Sequence, residues 1–158
     1  MEIWERGNVP FSQIHSVCSR FSDIIRVREV MNMFLKFQSQ DERKEYGSTY
    51  FIELQFCLQQ SSATLKEVLN NHEFWRDDSI YVYGDSPFYS EYKDVFGNGF
   101  HQNMSEGVFD YYGITYYKAD QIDEIISRAR QLTPEGYGIL CDWLEKAKEY
   151  NGFYILGM

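Results

Sequence analysis

The chain has 158 residues, of which 44% are hydrophobic and 25% charged, and it carries a net charge of −9. Such a composition excludes an intrinsically disordered chain and fits one globular domain over residues 1–158 with a single core. The negative balance also excludes nucleic acid as a direct ligand, because phosphate contacts need clustered Lys and Arg.

The opening residues Met1 to Arg6 have neither the basic nor the apolar part of a leader. No apolar run reaches the roughly 18 residues of a membrane span, so a cytoplasmic protein without membrane contact is expected. Pro10 occupies a first helical position, and Phe11, Ile14, Val17, Cys18 and Phe21 then recur at helical spacing. Ser22 or Asp23 caps a second helix with Ile24, Val27, Met31, Phe34 and Leu35 on one side. The polar run from Gln38 to Gly47 reads as a solvated loop or frayed end.

From Tyr50 to Leu58 the period becomes two. Ile52, Leu54, Phe56 and Leu58 alternate with Glu53, Gln55 and Gln59, the pattern of a half-buried strand. Ser61 and Ser62 cap a short helix holding Leu65, Val68 and Leu69, which Asn70 and Asn71 end. Ser79 to Tyr83 is a second strand, with Ile80 and Val82 inward and Tyr81 and Tyr83 sharing the other face. Asp85-Ser86-Pro87 starts a helix, with Ser86 as cap, that buries Phe88, Tyr92 and Val95 and leaves Glu91 and Asp94 outside.

Gly97-Asn-Gly99 breaks that helix and reads as a turn. Val108 to Tyr117 gives one or two strands around Gly113, as a hairpin or with a bulge. Asp120 begins a helix with the apolar row Ile122, Ile125, Ile126, Ala129 and Leu132. Thr133-Pro134 begins another, with Tyr137, Leu140, Cys141, Leu144 and Ala147 inward. Asn151-Gly152 stops it, and Phe153 to Leu156 is a final strand. The fold class is α+β: one mixed or antiparallel sheet of four to five strands with about five helices packed on it.

Chemical motifs are sparse. His15 and Cys18 lie one turn apart but supply two ligands of a four-ligand metal site, and His72-Glu73 lacks a second His. His101 follows Phe100 in a Gly-rich loop. Gly97-Asn-Gly99 is only the first half of a dinucleotide fingerprint, since position 102 is Gln. Cys18, Cys57 and Cys141 are far apart and read as reduced, buried thiols. No catalytic residue, metal site or cofactor is assigned.

Charge patterning is more informative. Residues 73–124 hold eleven acids against three bases, so nearly all of the net charge falls in one third of the chain, together with fourteen of its twenty-eight aromatics. Acids interleaved with rings suit a surface that draws in a basic partner from a distance and grips it at short range. The contact set expected from this window is Asp77, Asp78, Tyr81, Tyr83, Asp85, Tyr89, Glu91, Asp94, Asp110 and Tyr112. Two alternatives stay open. Asp77, Asp78, Asp85, Glu91 and Asp94 also suit a small Mg-dependent hydrolase or transferase, and a regulatory adaptor or oligomerisation domain would turn the aromatics towards another copy.

A small, acidic, aromatic-rich α+β chain without a catalytic motif resembles the bacterial immunity proteins that neutralise a cognate toxin, including those of contact-dependent growth inhibition. The resemblance covers the overall character of the chain and no single motif. It implies a non-enzymatic inhibitor, monomeric apart from its complex. It would occlude a basic toxin domain, a nuclease first among the candidates.

Overall fold

The structure, a computed structural model, describes residues 32–158. The two helices expected over residues 10–35 therefore lie outside the described residues, apart from the last positions of the second. Those positions are not helical. Leu35 exchanges backbone hydrogen bonds with Tyr81, at 2.8 and 2.9 Å. Phe34 and Leu35 join hydrophobic clusters on opposite sides of the sheet, which extended backbone allows and a helix does not.

Among the described residues, six strands and five α-helices follow. Helix α1 is Gln40–Gly47, β1 Phe51–Phe56, α2 Leu65–Asn70, β2 Ile80–Tyr83 and α3 Phe88–Phe96. Strands β3 (Asn98–His101), β4 (Glu106–Val108) and β5 (Ile114–Tyr117) come next. A 3-10 turn at Ala119–Gln121 leads into α4 (Ile122–Leu132), and α5 (Tyr137–Ala147) and β6 (Phe153–Leu156) complete the order. The sheet has the order β2-β1-β6-β5-β3-β4, and every pairing is antiparallel.

Several expectations are corrected. The polar run at 38–47 is helical: the Ser39 side chain accepts from the Glu42 backbone, and Asp41 and Glu42 favour the positive end of the helix. Helix α2 is capped by Thr64, in a reciprocal box with Glu67, and not by Ser61 or Ser62. Pro87 holds the cap position of α3, and Ser86 makes no capping bond. The sheet has six strands because Gly97-Asn-Gly99 is only partly a turn. Gly97, at φ 63, ends α3, while Gly99 already belongs to β3. A Cβ on Gly99 would lie 2.8 Å from the Tyr116 carbonyl oxygen, so its absence lets the strands approach.

One face of the sheet presents Ile52, Leu54, Phe56, Ile80, Val82, Tyr117, Phe153 and Ile155 to α3, α4 and α5. The helices answer with Phe88, Tyr92 and Val95, with Ile122, Ile125, Ile126 and Ala129, and with Leu140, Trp143 and Leu144. Phe56 and Trp143 stack with ring centres 4.4 Å apart. Leu132 and Tyr137, expected inward, are exposed as the last residue of α4 and the first of α5.

The second face is covered as well, so β1 is fully buried where alternation suggested a half-buried strand. Phe37, Phe51 and Tyr81 cluster under Tyr46 of α1 and under Trp75. Cys57, Tyr116, Tyr154 and Leu156 cluster with Val68 and Leu69 of α2. Cys57 and Cys141 are free and buried. Among the described residues no helix is long and apolar enough to cross a membrane.

Candidate functional site

Strand β1 places Glu53 on the second face, where it is 1% exposed. A buried carboxylate needs donors on both oxygens, and here the chain supplies them. Oε2 accepts from the Trp75 backbone at 2.7 Å; Oε1 accepts from the Arg76 backbone at 2.9 Å and from the Ser79 hydroxyl at 2.6 Å. Gln55 adds its amide at 3.1 Å. The segment between α2 and β2 is thereby fixed in one shape, with Trp75 in the left-handed region at φ 66. Trp75 stacks near Tyr81 on one side, and the buried Arg43 guanidinium lies 3.9 Å from its ring centre.

Tyr81 belongs to this interior. It is 0% exposed and donates its hydroxyl to the Arg76 carbonyl at 2.6 Å. Burial, reinforced by Glu53, raises its pKa far above the ordinary tyrosine value. The expectation that Tyr81 faces a partner is thus corrected: its ring is needed against Phe37, Phe51 and Trp75. Tyr83 is half-buried and packs edge-on against Tyr50 and Phe51.

The acids expected to share one face divide. Asp77 and Asp78 precede β2, and Asp85 follows it, so the strand holds them at opposite ends of the sheet. At the first end, Arg76 pairs with Asp78 at 2.7 Å and Gln40 donates to Asp77 at 2.9 Å. A cleft there is lined by Asp77 and Asp78 together with Lys36, Lys146 and Glu149. Glu91 and Asp94 are exposed along α3.

At the second end a coherent patch forms. Tyr50 donates its hydroxyl to Asp85 at 3.0 Å, which raises the Tyr50 pKa above its ordinary value. Tyr111 donates to the Gly84 carbonyl, and its backbone carbonyl accepts from Met158 at 3.0 Å. Asp110 closes the turn before β5 by accepting from the Tyr112 backbone at 2.9 Å. Tyr112 is left 76% exposed, resting edge-on against Tyr111 with ring centres 5.1 Å apart. Tyr89, 42% exposed, leans on Phe109 at 5.2 Å.

Of the ten residues expected, Asp85, Tyr89, Asp110 and Tyr112 are exposed at or beside this end. Comparison with family models, with curated proteins and with solved structures gives no match for this chain. Tyr50, Tyr111 and Met158 complete the patch and were missed. Tyr50 and Met158 lie outside the acidic window, and Tyr111 differs from Tyr112 only in where the turn aims it. Among the described residues, no three His, Cys, Asp or Glu side chains gather where they would hold a metal ion.

Proposed function

We propose that the protein is an immunity-type inhibitor that seats a basic toxin domain, a nuclease in the first instance, against the end of the sheet marked by Asp85, Tyr89, Asp110 and Tyr112. The observation that carries this reading is the pairing of exposed carboxylates with exposed rings at one end of the sheet, with Tyr112 more exposed than Tyr89 or Tyr50. Asp85 and Asp110 would stand where a nucleic acid's phosphates lie in the toxin's cationic groove, and the rings would provide the short-range grip. The chain needs no cofactor and performs no reaction in this scheme; inhibition is steric and electrostatic.

The test is to mix the protein with the product of the gene directly upstream and to measure affinity at several salt concentrations. Nanomolar binding that weakens with salt is expected. Asp85→Asn with Asp110→Asn should slow association, and Tyr112→Ala should speed dissociation. A complex of micromolar affinity or weaker, or one indifferent to ionic strength, overturns the proposal.

A further inference from the structure

We infer that the cleft between Tyr50, the Phe74–Trp75 turn and the end of β6 receives an arginine side chain of the protein partner. The cleft has a volume of about 380 Å³ and is walled mainly by Tyr50, Phe51, Phe74, Trp75, Leu156 and Met158. Glu53 reaches its floor, and no Lys, Arg or His of the described residues lines it. Arg43 touches Trp75 but is held by the Gln40 amide and the Ser48 carbonyl and is not part of the lining.

The wall is built at a cost. A non-glycine residue at φ 66 is uncommon, and Trp75 is kept there by the bonds that Glu53 accepts from its backbone and from Arg76. What that conformation achieves is to leave Phe74 52% exposed beside the opening while Trp75 turns inward. At the other side, the hydroxyl of the lining residue Tyr50 donates to Asp85, which ties a carboxylate to that wall.

Those features select one ligand chemistry. An aliphatic stem would lie along the apolar lining to which Leu156 and Met158 contribute. A planar cation gains from the aromatic rings of Tyr50 and Phe74 in the lining and from the negative charge of Asp85, since Glu53 is already engaged by the turn. Arginine suits this better than lysine because guanidinium is planar and more weakly hydrated than ammonium. The inference rests on the basic partner proposed above, and it names where one of that partner's cations goes.

The experiment titrates the full chain with acetyl-Gly-Arg-Gly-amide and, separately, with the Leu analogue, following the Trp75 indole and Met158 methyl resonances. Saturable shifts with the Arg peptide are expected, with the Leu peptide at least fivefold weaker and Phe74→Ala weakening the Arg peptide about fivefold. Absence of saturable shifts at these residues, or equal binding of the Leu peptide, overturns the inference. Asp110→Asn and Tyr112→Ala lie outside the cleft lining and separate the two proposals. Peptide binding that survives in a chain with no affinity for the upstream gene product sinks the inhibitor reading and leaves the cleft assigned. A salt-sensitive toxin complex formed by a chain that ignores the Arg peptide sinks the cleft alone.

Discussion

The Glu53 carboxylate accepts the backbone N–H of Trp75 at 2.7 Å, and this bond joins a central strand to a turn twenty-two residues further along. Because Arg76 and Ser79 donate to the same side chain, removing its charge disturbs several partners together. Glu53→Gln keeps the volume but puts an amide NH2 in place of one oxygen, so the backbone N–H of Trp75 or that of Arg76 meets a donor. We expect a loss of about 3 kcal/mol, read as a lower guanidinium midpoint at unchanged slope. A change under about 0.5 kcal/mol would show that the turn stands without this acceptor.

Two tyrosines that look alike in the sequence should behave differently. Tyr81→Phe removes the donor to the Arg76 carbonyl inside the fold and should cost about 1–2 kcal/mol. Tyr112→Ala removes an exposed ring and should stay within about 0.5 kcal/mol of the parent. Thermal melts of the two variants check this. Equal losses would mean that the Tyr112 ring is structural.

Acid should weaken the fold through His72. Burial pushes its imidazole below the ordinary value, with the Leu69 backbone and Glu53 offsetting part of the effect. The folded state then binds the proton less readily than the unfolded chain. Stability is complete above the unfolded value of about 6.5 and declines as pH falls from there towards the lower folded value. His72→Gln should flatten this part of the stability profile between about pH 7 and pH 5. An unchanged slope in the variant would assign it to other groups.

Gly152 is the residue at which a methyl group has nowhere to go. Its φ is 82, and an added Cβ would meet the Tyr117 carbonyl oxygen. Gly152→Ala should therefore cost at least about 2 kcal/mol, seen as a lower melting temperature and poor recovery after heating. Gly138→Ala is the control, since nothing lies within 4 Å of the added atom and the site is inside α5.

Much of the fold was legible in the chain because periodicity reports burial. The rows Ile122, Ile125, Ile126 and Ala129, and Phe88, Tyr92 and Val95, face inward as their spacing requires. What failed was local chemistry that tertiary contacts override. Leu58 extends the alternation of β1 yet is exposed beyond its end, and Glu53 matches a solvent position yet is sealed by the turn above it. The 38–47 run lacks an apolar stripe, and its one buried side chain is Arg43. Charge density picked out Asp85 and Asp110 at one end of the sheet together with Asp77 and Asp78 at the other, because nearness in sequence does not reveal which end of a strand each acid occupies. Tyr50 was invisible to that signal; its place beside Asp85 comes from the antiparallel pairing of β1 with β2.

Strand β6 lies between β1 and β5 and hydrogen-bonds to both. It is the keystone of two otherwise separate ladders, β1 with β2 and β3 to β5. Until it docks, each ladder exposes a raw edge ready to pair with another chain, so half-folded molecules of this protein should be the ones that aggregate. A short peptide of the β6 sequence supplied in excess during refolding would fill that slot and trap the protein before it closes.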